Sequence, residues 1–241
     1  MSTVSSVLQP VGTPVRLRRL VKLSAMLSAK NYLEVGVSHG STFFGVDIPT
    51  KDAVDPKFQF DVKSKIKAGI QFHELTSDDF FSKLDWSIKY DLIYLDGLHT
   101  FEQTYRDFCN SLQHIHENSV ILIDDTFPND VFSSIPNQRL CGELREKFGT
   151  PAGGAWHGDV YKIVFAIHDF HPGFNYRTIV GSGNAQTLIW PSKSGWRSPL
   201  FKSLEEISRL SYTDLLESYT LMRPTEEDEA LSLCISELLK K

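Results

Sequence analysis

Hydrophobic and polar positions alternate along the first half of the chain as short apolar runs separated by longer amphipathic segments. Continuous aliphatic runs predict strands buried on both faces, and the amphipathic segments predict helices. Strands are predicted at 31–36, 51–55, 69–74, 90–95 and 119–123. Helices are predicted at 40–47, 60–68, 77–84 and 100–113. This order is typical of right-handed βαβ units around a parallel sheet.

The pattern changes after Asp125. A Pro- and Gly-rich loop with a helix, at about 128–158, leads to the apolar run 161–167, which we interpret as a strand. Segments 176–180 and 186–190 are separated by Gly181-Ser-Gly183-Asn184 and predict a hairpin. The expected fold class is α/β, with a mostly parallel sheet that finishes in an antiparallel C-terminal hairpin.

Both ends of the chain predict helices. Thr13-Pro14 begins a helix with an apolar stripe, so a packed helix is favoured for residues 1–30 over a basic transit peptide. Apolar spacing over 200–222, and an acidic segment after Pro224, predict a C-terminal helical extension. This extension either packs on the core, caps an active site or forms a dimer face. We therefore divide the chain into 1–30, a central domain at 31–195 and the extension at 196–241.

Composition and charge exclude several partners. The 241-residue chain has a formal net charge of −5, without the strongly basic face that a nucleic-acid backbone requires. No segment reaches the roughly 20 apolar residues of a membrane span. The three cysteines are widely spaced, so a reduced, cytoplasmic setting is expected.

A glycine-bearing turn follows the first predicted strand in Glu34-Val-Gly36, and Gly40-Ser41 then opens a helix. Asp55 lies about twenty residues further on, where an acid accepts hydrogen bonds from ribose hydroxyls. The second glycine of the dinucleotide pattern is missing, and Glu34 precedes the turn. These features favour a ligand with an ammonium and a sulfonium over NAD, although Glu34 has the alternative role of bonding turn amides.

Acidic residues follow two of the apolar runs: Asp96 after 90–95, and Asp124 with Asp125 after 119–123. If these runs are neighbouring strands, their ends lie about 5 Å apart and the carboxylates converge. Such a cluster needs protonation, a cationic partner or a divalent ion, and oxygen ligands favour magnesium, manganese or calcium. Helix capping by Asp96 is disfavoured because Thr100 and Gln103 form a capping-box pattern there. Asp125 has the alternative of capping a turn before Pro128.

The glycine turn, Leu95-Asp96-Gly97-Leu98-His99 and Ile123-Asp124-Asp125 together resemble the class I S-adenosyl-L-methionine (SAM)-dependent methyltransferases. More narrowly, they resemble the metal-dependent sugar O-methyltransferases of macrocin and mycinamicin biosynthesis, over about residues 13–190. The resemblance implies a Rossmann-like, doubly wound fold with a seven-stranded sheet. It also implies contacts with SAM. These are Glu34, Gly36 and Gly40 near the methionine and the turn, Asp55 at the ribose, and Thr76, Ser77 and Asp78 near the adenine. Ser41 and Asp96 are further expected cofactor contacts.

His99 is the candidate general base, because it stands three residues after Asp96 and has a near-neutral pKa as a free side chain. With Mg²⁺ on Asp96, Asp124 and Asp125, a neighbouring hydroxyl of the acceptor would be acidified, and Asp96 would thereby share in catalysis.

Other polar residues are weaker candidates for substrate contact. Trp156, His157 and Asp159 mix aromatic and polar groups in a way that suits a sugar or polyol. Arg139 and Arg145 either pair with a substrate phosphate or form a solvated helix face. His168 and His171 are interpreted as structural.

The predicted function is therefore SAM-dependent O-methylation of a sugar or polyol-bearing metabolite, with a divalent cation and with homo-oligomerisation left open. Two alternatives remain at this point. One is an oxidoreductase or hydroxylase on the same scaffold, and the other is a non-catalytic binding module.

Overall fold

The computed structural model describes residues 14–192 and 197–240. The strands are β1 (Asn31–Val35), β2 (Thr50–Asp55), β3 (Ile70–Glu74), β4 (Leu92–Leu95), β5 (Val120–Ile123), β6 (Phe174–Ile179), β7 (Gln186–Pro191) and β8 (Pro224–Thr225). The helices are α1 (Val15–Leu27), α2 (Ser41–Gly45), α3 (Ser77–Lys83), α4 (Phe101–Ser111), α5 (Gln138–Phe148), α6 (Lys162–Phe170), α7 (Leu204–Ser208), α8 (Tyr212–Glu217) and α9 (Glu227–Leu239). All five strands predicted before Asp125 are confirmed.

The described strands form one sheet in the order β3-β2-β1-β4-β5-β7-β6-β8. β1 to β5 pair in parallel, and β7 runs antiparallel to both β5 and β6. The α/β class and the antiparallel hairpin are thus confirmed, with a two-residue β8 making eight strands instead of seven. Val35 is in register with Leu95, and Leu95 with Ile123. The residues after these strands therefore emerge side by side at one edge.

The core fills both faces of the sheet, as the continuous apolar strands require. In β4, Ile93 and Leu95 pack in one buried cluster with α4 and α6, whereas Leu92 and Tyr94 pack in a second cluster with α1 and α9. This alternation follows from the two-residue period of a strand. Helices therefore cover each face, and the carboxyl ends of the strands are left for the site.

The interpretation of 161–167 as a strand is wrong, since these residues lie in or next to α6. Ile163, Val164 and Ile167 are completely buried in that helix. A short run that is apolar on every side does not distinguish a buried strand from a buried helix. The strand position beside β5 is taken by β7.

The prediction of a helix at 60–68 is also wrong, because only a short 3₁₀ helix forms there, at Val62–Lys65. Asp61 caps this turn by accepting a hydrogen bond from the backbone amide of Lys63. Gly69 then takes φ +80° against the Pro49 carbonyl, which brings the chain directly into β3.

The C-terminal extension packs on the core. Ile207 and Leu215 join the cluster around α6, and Leu231 joins the cluster around α1. The packed first helix is confirmed, with Leu20 and Leu23 completely buried. No helix within the described ranges combines the length and apolarity needed to cross a bilayer.

One buried carboxylate joins the two ends of the chain. Glu227, at the start of α9, accepts hydrogen bonds from the guanidinium groups of Arg18 and Arg19 and from Lys22. Arg19 is completely buried and also donates to the backbone carbonyls of Ser182 and Asn184. Burial alone would raise the pKa of Glu227, but these cations lower it to about 2. The cluster therefore fixes α1, α9 and the β6–β7 turn relative to one another.

We expect Glu227→Gln to lower the free energy of unfolding at pH 7 by about 3 kcal/mol, because it leaves buried cations without their counter-charge. Urea denaturation measures this change. The matched control is Asp228→Asn, whose side chain is 89% exposed and also contacts Lys22. A control that loses as much stability as Glu227→Gln would contradict this account.

The same carboxylate gives a pH dependence of stability with a definite sign. Its pKa is lower in the folded than in the unfolded chain, so its contribution is present above about pH 4.3 and is lost as the pH falls towards 2. Unfolding free energies of the wild type and Glu227→Gln should therefore converge in acid. A constant difference from pH 7 to pH 3 would rule out this linkage.

Candidate active site

A cleft of about 1240 Å³ opens at the edge where β1, β2, β4 and β5 end. Its lining residues fall into two groups by their position in the fold. The glycine-turn side, after β1, β2 and β3, contributes Gly36, Ser38, Asp55, Thr76, Ser77 and Asp78. The histidine side, from α1 and the loops after β4, β5 and β6, contributes Arg16, His99, Asn129, Trp156, His157 and Asn184. Asp96 and Asp125 also line the cleft.

The turn after β1 lies directly against the end of β4. Gly36 has φ +90°, and a Cβ atom built there would lie 1.9 Å from the backbone oxygen of Asp96. Only glycine permits both the left-handed backbone and this close approach. The contact sets the position of Asp96 relative to the glycine turn.

Asp55 secures the other side of the same turn. Its carboxylate accepts hydrogen bonds from the backbone amides of Ser38 and Lys57, both at 2.8 Å. Asp55 lines the cleft, as do Thr76, Ser77 and Asp78. The structure therefore brings the residues predicted for ribose and adenine to one side of the cleft.

Three other residues predicted for the cofactor are not among those that line the cleft. Glu34 is buried in the sheet, where Tyr32 donates a hydrogen bond to it at 2.6 Å. Burial raises the pKa of Glu34 to about 8. Gly40 and the exposed Ser41 follow the turn at the start of α2. These positions shape the turn and its helix.

The predicted capping box at α4 is wrong. Thr100 makes no side-chain cap hydrogen bond, and the backbone amide of Phe101 instead donates to Asp159. Gln103 donates to Ser77 on the glycine-turn side and to Asp107 within α4. The cap comes from a residue far along the chain, which no local pattern reveals.

This contact also corrects the placement of Asp159. Its carboxylate is buried between the Phe101 amide and the Lys162 ammonium, at 2.8 Å from each, and it is not among the cleft residues. Asp159 is therefore a structural residue and not a substrate contact in this conformation.

His99 lies between two carboxylates. Its Nδ1 is 3.0 Å from Asp125 and its Nε2 is 3.6 Å from Asp96. Burial would lower the pKa of His99, but hydrogen bonds and charge from Asp125 and Asp96 raise it to about 10. One ligand atom from each of these three residues fits within 4.8 Å, so the group could hold a metal ion.

Asp124, the third predicted metal ligand, is not in this group of three. Tyr94 donates to one of its oxygens at 2.6 Å, and Asn184 and Gln186 donate to the other at 2.8 and 3.1 Å. Burial, followed by the charges of Asp96 and Asp125, raises the pKa of Asp124 to about 7. Asp125 follows with φ +59°, which turns its carboxylate towards His99 instead.

Two residues near this cluster are missing from the sequence predictions. Asn184 donates to both Asp124 and Asp125. Arg16 lies 3.9 Å from both Asp96 and Asp124. In the sequence, Asn184 belongs to a turn and Arg16 to a basic helix, and neither pattern indicates a site.

The loop that contains Trp156 and His157 packs against His99. The Trp156 ring stacks on the imidazole with centroids 4.7 Å apart and 18° between the planes. Gly158 has φ +62°, and a Cβ atom there would lie 1.7 Å from the His99 carbonyl oxygen. His157 is buried with its Nε2 2.9 Å from the Asn184 side chain. Trp156 and His157 therefore lie on the His99 side of the cleft.

The remaining candidates are not among the residues that line the cleft. Arg139 is 87% exposed beside Glu143, which fits a solvated helix face. Arg145 pairs with Asp130. His168 contacts Asp169, and His171 contacts Tyr105.

Comparisons with known proteins show what this chain is similar to. Residues 23–126, from α1 to just beyond β5, match a family model described as a methyltransferase domain. A comparison with curated proteins finds no match.

Solved structures share the fold at low sequence identity. One is a provisionally assigned O-methyltransferase from Klebsiella pneumoniae, with 14% identity, coverage of 76% of this chain and 83% of that chain, and a TM-score of 0.51. Another is the SAH-bound methyltransferase PaMTH1 of Podospora anserina, with 13% identity, coverage of 74% and 78%, and a TM-score of 0.51. Residues 23–126 are thus similar to methyltransferase domains, and the chain shares its fold with solved methyltransferase structures.

Proposed function

We propose that this enzyme is an O-methyltransferase that transfers the methyl group of SAM to a hydroxyl of a sugar or polyol-bearing metabolite, with a divalent cation, preferably Mg²⁺. One observation carries the proposal. Asp96, His99 and Asp125 each place one possible ligand atom within 4.8 Å of the other two. They do so in a cleft whose other side has the residues expected to bind a nucleoside. The similar Podospora methyltransferase carries SAH, which supports the same cofactor here.

The residues of the cleft fit SAM. The backbone amides of Ser38 and Lys57 hold the Asp55 carboxylate at the cleft. Its oxygens keep further lone pairs that can accept hydrogen bonds from ribose hydroxyls. Ser77 and Asp78 supply further polar groups beside it. Two buried side-chain nitrogens of cleft residues have no hydrogen-bond partner, Nε of Arg16 and Nδ1 of His157. Buried polar atoms of this kind indicate a place for a polar ligand.

The group around His99 fits a divalent cation. Asp96 and Asp125 offer hard oxygen ligands, which favour Mg²⁺ or Mn²⁺. His99 lies beside these two carboxylates and stays available as the base. When bound there, the cation would act as a Lewis acid that lowers the pKa of an acceptor hydroxyl.

His99 is placed to accept the acceptor proton. Asp125 and Asp96 flank its two ring nitrogens, and Trp156 stacking fixes the plane of the ring. With both carboxylates free, the raised pKa keeps the imidazole protonated at neutral pH. Positive charge near Asp96 and Asp125 weakens their hold on that proton and so favours the neutral imidazole that a base requires.

The acceptor class rests on the histidine side of the cleft. Trp156 supplies an aromatic surface, and Asn129, His157 and Asn184 supply polar groups next to it. Leu98 lines the same cleft and is 59% exposed. An acceptor with several hydroxyls and an apolar portion fits this mixture.

The cofactor is tested by calorimetric titration with SAH and with NAD. We expect the wild type to bind SAH and not NAD. Asp55→Asn should raise the Kd for SAH about 10-fold, because a charged hydrogen-bond acceptor is lost. The control is Asp47→Asn, at an exposed position outside the cleft. Binding of NAD without binding of SAH would reject the proposed cofactor.

The cation is tested by adding Mn²⁺ and following the EPR signal of the free ion. Asp125→Asn should weaken Mn²⁺ binding at least about 10-fold, since a charged ligand is removed. Asp228→Asn, at an exposed carboxylate on α9, should bind as the wild type does. Equal binding by both variants would exclude the group around His99 as the metal site.

The base is tested with radiolabelled SAM and a panel of sugars, glycosides and polyols. On any acceptor found, His99→Gln should lower the rate by a factor of about 10²–10⁴ and leave the Kd for SAH within about 3-fold. Removal of divalent cations by EDTA should also abolish turnover. A His99→Gln variant with full activity would end the base assignment.

A further inference from the structure

We propose that Arg16 and Asp96 together bind the amino-acid end of SAM, with Arg16 on the carboxylate and Asp96 on the ammonium. This inference rests on the proposed cofactor. It gives the first turn of α1, outside the residues that match the methyltransferase model, a direct part in cofactor binding.

Arg16 differs from the other arginines of its helix in having unused hydrogen-bonding capacity. Arg18 and Arg19 donate to Glu227 at 2.6–3.1 Å. Arg16 lines the cleft, donates no hydrogen bond within the described residues, and has a buried Nε without a partner. A guanidinium carries five N–H donors in a planar fork that matches a carboxylate. This one is therefore available to a ligand in the cleft.

The spacing between Arg16 and Asp96 suits a zwitterion. Nη1 of Arg16 lies 3.9 Å from Oδ2 of Asp96, which is beyond hydrogen-bond length but close enough for one ligand to contact both groups. An α-amino acid carries its ammonium and its carboxylate on a single carbon atom. A guanidinium beside a carboxylate therefore presents the complementary pair of charges.

The two oxygens of Asp96 allow this role beside the proposed cation. Oδ1 is the oxygen near His99, whereas Oδ2 is the oxygen near Tyr94 and Arg16. The backbone oxygen of Asp96 touches the Gly36 turn, so this carboxylate also lies next to the predicted methionine segment. One side chain thus serves both the amino-acid end and the cation.

An anionic group on the acceptor would present the same chemistry to Arg16, so the test uses ligands that differ only at the amino-acid end. SAH, decarboxylated SAH and 5′-methylthioadenosine are titrated calorimetrically into wild type, Arg16→Gln, Arg16→Lys and the exposed control Arg139→Gln. Thermal melts by circular dichroism check that each variant is folded.

We expect Arg16→Gln to raise the Kd for SAH about 10-fold or more and to change the Kd for decarboxylated SAH and methylthioadenosine less than about 2-fold. Arg16→Lys should recover part of the SAH affinity, and Arg139→Gln should match the wild type. Unchanged SAH affinity in a folded Arg16→Gln, or equal losses for all three ligands, would overturn this role for Arg16. A wild type that binds none of the ligands would instead reject the proposed cofactor itself.

Discussion

The site depends on keeping three carboxylates close together at the ends of two neighbouring parallel strands. The sheet register places Asp96 and Asp124 side by side, and like charges at this distance repel. Several groups offset this repulsion. His99 lies between Asp96 and Asp125, and Tyr94 of β4 and Asn184 donate to Asp124. Arg16 of α1 lies 3.9 Å from both Asp96 and Asp124. Donors and positive charge from β4, the loop after it, α1 and the β6–β7 turn therefore stabilise the cluster.

One of these donors, Asn184, is itself held by a chain of polar contacts that begins in the C-terminal helix α9. Glu227 in α9 fixes Arg19, and Arg19 donates to the Asn184 carbonyl, to Ser182 and to Gln186. The side chain of Asn184 then donates to Asp124 and Asp125. The C-terminal helix therefore does more than cover the sheet, because its first residue secures the turn that reaches the active site.

The hydrophobic pattern correctly predicted the elements that short stretches of sequence determine. β1 to β5 are short aliphatic runs between turns, and burial on both faces accounts for them without knowledge of the rest of the chain. The convergence of Asp96 with Asp125 followed from topology alone, since parallel strand ends share one edge. The strand prediction at 161–167 was wrong because a run that is apolar on every side shows neither the helical nor the strand period.

The sequence pattern could not predict the directions of the site side chains or their hydrogen-bond partners from distant segments. Asp124 and Asp125 are adjacent in sequence but are oriented differently, and only the left-handed backbone of Asp125 accounts for this. Gln103 fitted a capping pattern, yet Asp159 took the amide of Phe101. Arg16 and Asn184 have partners 60 or more residues away, so nothing in their own neighbourhoods marks them as part of a site.

Charge balance links the cofactor and the cation. Without ligands, the carboxylates at the strand ends face Arg16 and a protonated His99, so the protein's own cations occupy the places where external positive charge would act. SAM brings a sulfonium and an ammonium, and a divalent ion brings two more positive charges. If both bind as proposed, each added charge would reduce the need for the internal ones, so that His99 would be released towards its neutral form and Arg16 towards an anionic group. On this proposal, bound positive charge would make the cluster competent for base chemistry, because its internal cations are held mainly by electrostatic attraction to these carboxylates.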